Sequence, residues 1–248
     1  MTDDLAIVIP VLNEADELPG LIASLQPFAH EAEIVFVDGG SADASAEIIR
    51  AAGLRLVTTE PGRARQMNAG ARATRGEILV FLHADVRLPA DALGAIRAAM
   101  ADERVVAGRF DLAYDTRRWP YPAIAWCGSQ RSRLTKIFTG DQTIFVRRSA
   151  FIAVGRYPDV ALMEDVELSR RLKRRGRLAC LRLRVRASTR KCRREGVWRT
   201  VALMWLLRTL YALGVAPSRL HRVYYRRDPT KRPPQVVAGP RSHDAGSV

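Results

Sequence analysis

The chain has 248 residues, of which 48% are hydrophobic and 27% charged, with a formal net charge of +14. That composition suits one large domain with or without an appendage and excludes a disordered chain. The positive surplus points to an anionic partner, namely nucleic acid, membrane headgroups or a phosphorylated substrate, unless it only reflects a compositional bias toward arginine.

The first half alternates short apolar runs with helical segments. The runs at 5–9, 34–37, 54–58 and 78–82 are continuous rather than alternating, as buried parallel strands are. Helices are expected over 14–25, with Leu18, Leu21, Ile22 and Leu25 on one face, and over 42–52, 63–73 and 89–100. Strand and helix in turn, with short connections, read as an α/β fold with a mainly parallel sheet. Further on, strands are expected over 105–114 and 143–146, and a loop and helix rich in aromatic and basic residues over 119–138. A helix over 164–175 would stop at Gly176. Residues 178–185 alternate apolar with arginine, as a half-exposed strand does, and 197–215 is strongly apolar. From Asp228 on, proline, glycine, serine and charge predominate, so a disordered tail is expected. There is no internal repeat. The acidic start, with no long apolar run behind it, reads as lacking a signal peptide. Cys127, Cys180 and Cys192 match no metal-site spacing and suit reduced thiols in the cytosol.

In open α/β sheets ligands bind beyond the carboxyl ends of the strands, so the residues that follow each strand are the candidates. After the first come Pro10, Val11, Asn13 and Glu14. Asn13 can cap the next helix, and Glu14 suits its first turn, as readily as either contacts a ligand. After the second come Asp38, Gly39, Gly40 and Ser41. Asp38 could accept from a nucleoside while the glycines admit a close ligand, or the segment is a tight turn with Ser41 as cap. After the third, Gly62 precedes Arg63 and Arg65 at a helix start, an anion site or two solvated arginines. After the fourth come His83 and Asp85, one residue apart and on one face if the strand continues. Divalent metals bound to phosphates take few ligands from protein, and Asp85 could supply one. Glu164, Asp165 and Glu167 open a later helix, where they suit the dipole or supply a general base.

Taken in order, these segments resemble the family 2 glycosyltransferases, over roughly residues 5–185: Pro10 with Asn13-Glu14, Asp38-Gly39-Gly40-Ser41 with Asp43, Gly62-Arg63 with Asn68 and Gly70, Phe81 to Asp85, Gly140-Asp141-Gln142, and Glu164-Asp165. Residues 81–85, 140–145 and 195–207 are similar to a bacterial subgroup labelled arsenosugar-biosynthesis-type glycosyltransferases. The resemblance implies an α/β, glycosyltransferase A fold over 1–185; composition adds a basic and apolar helical extension over 186–227 and the tail over 228–248. It implies an inverting, hexosyltransferase-type enzyme that takes its sugar from a nucleotide diphosphate sugar, most often of uridine, with Mn2+ or Mg2+, although from the residues alone Asp85 reads as readily as a turn former and His83 as a cap of the strand end. Pro10, Val11 and Glu14 would line the nucleoside pocket, Asp38 would hold the base, and Arg63 would lie near the nucleotide. Asp85 would bind the metal at the diphosphate, with His83 beside it. Gly140, Asp141 and Gln142 would border sugar and acceptor. Asp165 would be the catalytic base, and Glu164 would orient it or bind the acceptor hydroxyl. Where relatives have Asp-x-Asp this chain has His83-Ala84-Asp85, so either a lower metal affinity or a different metal preference is expected. The Gln-x-x-Arg-Trp motif of processive relatives is absent.

Between Arg170 and Arg208 there are fifteen Lys or Arg and one acid, Glu195, an excess the first ninety residues lack. Residues 197–215 approach the length that spans a bilayer, but Arg199 and Arg208 interrupt them. An interfacial amphipathic helix facing anionic lipid, bringing the enzyme to a lipid-linked acceptor, competes with a core helix and with a homodimer contact. The expected location is the cytoplasm, or the inner face of the cell membrane as a peripheral protein. Three rivals remain. A sugar nucleotidyltransferase would carry a glycine-rich N-terminal signature, which 10–18 lacks. A nucleic-acid binder would interleave aromatics among the basic residues of 170–194, where they are scarce, so no nucleic acid is expected. A non-catalytic sugar-nucleotide binder is suggested by His83.

Overall fold

A computed structural model describes residues 4–224. In chain order the elements are β1 (Leu5–Val11), α1 (Leu18–Leu25), β2 (Glu33–Asp38), α2 (Ser45–Ala51), β3 (Leu56–Thr58), α3 (Arg63–Ala73), β4 (Ile78–Phe81), β5 (Val86–Arg87), α4 (Ala92–Met100), β6 (Val105–Tyr114), α5 (Tyr121–Thr135), β7 (Ile144–Arg147), α6 (Arg148–Ala153), α7 (Glu164–Leu172), β8 (Arg177–Ala187), α8 (Arg190–Glu195), α9 (Val197–Ala212) and α10 (Pro217–Tyr224). They form one eight-stranded sheet in the order β3-β2-β1-β4-β7-β6-β8-β5. The first four positions are parallel; β7 enters antiparallel to both β4 and β6, β8 runs parallel to β6, and β5 closes the edge antiparallel to β8. The expected tail, 228–248, lies outside the described residues.

The continuous apolar runs are explained by the two layers of helix. Along β1, Leu5, Ile7 and Ile9 join the core on the side of α1 and α4, whereas Ala6 and Val8 join the core on the side of α3 and α7. All five are fully buried, so neither face tolerates polar alternation. Gly70 shows how closely α3 rides on β1: a Cβ there would lie 2.3 Å from Val8 Cγ1.

Several helix starts differ from the expectation. Helix α1 begins at Leu18, not near Glu14, and its N-cap Glu17 makes no side-chain capping bond. Asn13 is not the cap: it takes a left-handed backbone (φ 53°), and its Oδ1 accepts from Ala42 N at 2.8 Å. Ser41 is not the cap of α2 either, since that helix starts at Ser45 and the Ser41 hydroxyl donates to Asp38. Both polar side chains are committed to tying two loops together, which competes with helix capping. Helix α7 ends at Leu172, short of Gly176.

The C-terminal helices share a third core with the start of α7. Met163 and Val166 pack with Leu207 of α9 and Leu220 of α10. Helix α9 has sixteen residues, about 24 Å at 1.5 Å per residue, and among the described residues no helix is long and apolar enough to cross a membrane. It is not amphipathic in composition, for both faces are apolar: Thr200 and Leu207 are buried inward, while Trp198, Trp205 and Leu206 are exposed.

Candidate active site

The carboxyl ends of β1 and β2 are joined by side chains. Gln66, buried on α3, donates to Val11 O at 2.7 Å and to Val37 O at 2.9 Å, which fixes the two strand ends side by side. Beyond them, Asn13 N donates to Ser41 Oγ, Glu14 N to Ser45 Oγ and Ala15 N to Asp43 Oδ2. Asp38 is 4% exposed, and its carboxylate accepts from Gly40 N, Ser41 N and Ser41 Oγ. It therefore holds the β2–α2 loop in shape. Pro10 is half-buried and Val11 buried. Glu14 is paired to Arg190 of α8 at 2.5 Å, and the same arginine lies 3.6 Å from Glu17. The start of the basic extension thus closes over the end of β1.

A second group forms where β4, the turn before β7 and the start of α7 meet. Asp165 Oδ2 accepts from Gly140 N at 2.9 Å, and its Oδ1 from Val166 N at 2.7 Å. Gly140 has to be glycine, because a Cβ there would lie 2.2 Å from His83 Cε1. Burial, and next Arg63, push the His83 imidazole down to about 3, so the ring is neutral at physiological pH. Glu164, 6% exposed, is pushed up to about 7 by burial and then by the neighbouring Asp165, with Arg63 3.9 Å away working in the other direction. Asp141 Oδ1 is buried with no hydrogen-bond partner among the described residues. Asp141 also bears electrostatically on Arg131 and on Tyr114, whose hydroxyl is pushed up first by burial. Gln142 is packed away, bonded to Ser132 and Thr139.

His83 and Asp85 are not successive residues of a strand, for β4 ends at Phe81. His83 packs on Gly140, whereas Asp85 lines a cavity with Glu17 and Arg87. Of the two arginines at the start of α3, Arg63 stays exposed beside Glu164, and Arg65 is occupied by a two-pronged pair with Asp159 at 2.9 and 3.0 Å. Among the described residues no three His, Cys, Asp or Glu side chains cluster as a complete metal cage. The Asp85 carboxylate accepts no hydrogen bond among the described residues, its backbone carbonyl alone being engaged by Ser188 N. One uncommitted carboxylate fits a Mg2+ or Mn2+ ion whose remaining ligands are diphosphate oxygens and water.

The profile of glycosyl transferase family 2 matches residues 6–159. The chain belongs to that family. As a glycosyl transferase of family 2, it is similar to the undecaprenyl-phosphate 4-deoxy-4-formamido-L-arabinose transferase of Pseudomonas fluorescens, 35% identical over 132 residues, which are 46% of this chain and 38% of the relative. The Pseudomonas aeruginosa protein of the same name is 33% identical over 135 residues, 48% of this chain and 39% of the relative. The match thus spans well under half of each relative. Among solved structures, a mannosyltransferase of Pyrobaculum calidifontis in complex with GDP-Man and Mn2+ superposes with a TM-score of 0.66 at 20% identity, covering 93% of this chain and 71% of that one. Staphylococcus aureus TarS with UDP-GlcNAc gives 0.60 at 18%, covering 75% and 58%. These structures share the fold expected from the resemblance, and membership of the family makes this chain a glycosyltransferase.

Three site neighbours were not found from sequence. Gln66 sits inside an ordinary amphipathic helix and carries no local mark. Arg190 lies 176 residues from Glu14, and no spacing rule links positions so distant. Arg131 on α5 is one arginine among many, yet burial and Arg208 hold it down to about 10.

Proposed function

We propose that this family 2 glycosyltransferase moves a sugar, with inversion, from a nucleotide diphosphate sugar to a hydroxyl of a lipid-linked acceptor, with help from a divalent metal. The observation that carries the reading is the convergence of Asp165, Glu164, Gly140, His83 and Arg63 at the carboxyl end of the sheet. In a single displacement the acceptor oxygen bonds to the anomeric carbon as the nucleoside diphosphate leaves with the bonding electron pair. The hydroxyl proton passes to Asp165, whose two backbone donors fix its orientation while leaving lone pairs free. Glu164, held near neutrality, shares the charge of this pair. Neutral His83 shapes the floor under Gly140 and adds no positive charge that would weaken the base. Asp85 would hold Mn2+ or Mg2+, which offsets charge on the departing diphosphate when bound; Arg63 contributes positive charge from the protein. Asp38, Pro10, Val11 and Glu14 support the nucleoside side of the site, and Asp141 the sugar side. A lipid-linked acceptor is favoured by the undecaprenyl-phosphate transferases among its relatives.

We further propose that the protein works at an anionic membrane surface. All four tryptophans are exposed, Trp119 by 76%, Trp126 by 62%, Trp198 by 63% and Trp205 by 56%, where an interfacial protein would place them.

A thermal-shift screen with UDP-, GDP-, CDP- and dTDP-sugars, with and without Mn2+, tests the donor reading. A rise in melting temperature that needs both metal and one nucleotide supports it through binding to the folded state. No shift with any donor, in folded protein, rejects it.

A further inference from the structure

A cavity of about 1500 Å3 lies between α5 and the β8–β5 edge of the sheet, and reaches Asp85. Its charges are unequal in their commitments. The acidic wall residues other than Asp85 are taken: Glu17 by Arg87 and Arg190, Asp111 by Arg109 and Arg133, and Asp115 by Thr189. On the basic side Arg117, Arg182, Arg184, Arg186 and Arg193 line the cavity with no side-chain partner among the described residues. Three of them stand at alternate positions of β8, exposed, while Val185 and Ala187 between and beyond them are buried in the core. Alternation puts the three on one face, with the Cα atoms of Arg184 and Arg186 about 6.6 Å apart, and Arg182 sits at the register shift where β8 leaves β6 between Leu181 and Arg184. The facing wall is apolar, built from Leu88, Pro89, Pro122, Ala125 and Trp126.

Unpaired arginines in a row repel one another and are hydrated at a cost to packing. Planar forks in such a row match phosphate oxygens two at a time. The geometry points to a binding site for the phosphate or diphosphate group of an amphiphilic acceptor, gripped by Arg182, Arg184 and Arg186, with its hydrocarbon against the Leu88–Trp126 wall. The inference rests on the transfer reaction proposed above and assigns to it the chemical class of acceptor and the wall that recognises it. Because Asp85 lies in the same cavity, an acceptor anchored there abuts the diphosphate end of the donor.

The test is a titration of the full chain, without divalent metal, using farnesyl diphosphate, inorganic pyrophosphate and farnesol. Farnesyl diphosphate is expected to bind at least about tenfold more tightly than pyrophosphate, a difference of roughly 1.4 kcal/mol, and farnesol not at all. The R182Q/R184Q/R186Q variant should lose about tenfold or more of the farnesyl diphosphate affinity, and R182K/R184K/R186K should recover part of it by restoring charge without the fork. Both variants should keep the melting-temperature shift given by a donor with Mn2+. Equal binding by pyrophosphate and farnesyl diphosphate would point to a soluble phosphate and overturn the amphiphile. Wild-type affinity in the glutamine variant, or no binding to the wild type, overturns the site. A parallel loss of the donor-induced shift assigns the arginines to the donor and also overturns it. A chain that binds no donor but shows the expected farnesyl diphosphate pattern sinks the proposed transfer while leaving the anion site intact.

Discussion

The two ends of this sheet use arginine and burial in opposite ways. At the β3-β2-β1-β4 end β1 and β4 are apolar and buried on both faces, and the proposed site residues lie in the loops at the strands' carboxyl ends. Those loops are pre-tied: Ser41 Oγ donates to Asp38 and accepts from Asn13 N, Asn13 Oδ1 accepts from Ala42 N, and Asp43 accepts from Ala15 N and Ser45 N, so the proposed nucleotide would meet a rigid rim. At the β6-β8-β5 end the exposed face of β8 carries Arg182, Arg184 and Arg186 with no side-chain partner among the described residues, and the proposed acceptor site runs along the strand itself. The first arrangement suits a donor common to many enzymes. The second is free to vary, because exposed arginines on an edge face change little in the core when replaced. On the proposed reading, donor chemistry would be held in buried loops and acceptor choice on an exposed wall.

The largest expected effect lies where the two ends meet. Asp165→Asn keeps a side chain of the same shape but cannot take the acceptor proton. Transfer should fall about 10²–10⁴-fold, the usual contribution of a positioned base, while the donor-induced thermal shift stays within error of wild type. Unimpaired turnover would falsify the base assignment. Next is Asp85→Ala, which removes the uncommitted carboxylate between the donor end and the cavity. The Mn2+-dependent part of donor binding should weaken on the order of tenfold or more, while any metal-independent part persists. If metal titrations of variant and wild type coincide, Asp85 is not a ligand.

How much of this was legible in the sequence follows the same division. The buried parallel strands were readable because runs such as 5–9 and 78–82 have no polar face to confuse the period, and α3 was placed at both ends because Gly62 and Arg63 mark its start. The loops were read as the right places but with the wrong hydrogen bonds. Asn13 and Ser41 have the chemistry of helix caps, and only the tertiary pairing of the two loops shows that they serve each other. His83 and Asp85 were expected to share a face, but the strand ends two residues before His83, and the alternation ends with it. The arginines of β8 were visible as an alternating strand, yet that they are unpaired depends on Asp111, Glu17 and Asp115 being committed to residues elsewhere in the chain.

Glu164 sharpens the comparison from the side of stability. Its carboxyl is raised from an ordinary 4.5 to about 7 by burial and by Asp165, so the folded state holds its proton more tightly than the unfolded state. As pH rises through about 4.5 the unfolded chain releases that proton first. Stability therefore falls between about 4.5 and 7, and this contribution is level above that. Glu164→Gln removes the cost of burying the charge. Its urea-unfolding free energy should match wild type near pH 4 and exceed it at pH 8 by on the order of 1–3 kcal/mol. A variant that is no more stable than wild type at pH 8 would mean that Arg63 compensates the charge fully, and that the carboxylate pair is not a strained one.

The smallest effect expected is at the proposed membrane-facing stripe of α9. Trp198, Trp205 and Leu206 are exposed on α9 although Leu207 and Thr200 of the same helix are buried, so the outer stripe is apolar without a protein partner among the described residues. Flanking arginines at 193, 194 and 199 supply the positive charge that anionic headgroups attract. Replacing Trp198 and Trp205 together by Ser should lower co-sedimentation with vesicles of anionic phospholipid by about tenfold, as expected for the loss of two partly inserted aromatic side chains, and leave donor binding unchanged. Added salt should weaken wild type and variant alike, since the arginines remain. If vesicle binding is unaffected while the wild type sediments as a dimer and the variant as a monomer, the stripe is a contact between two copies of the chain. The acceptor would then reach the β8 arginines without a bilayer beside them.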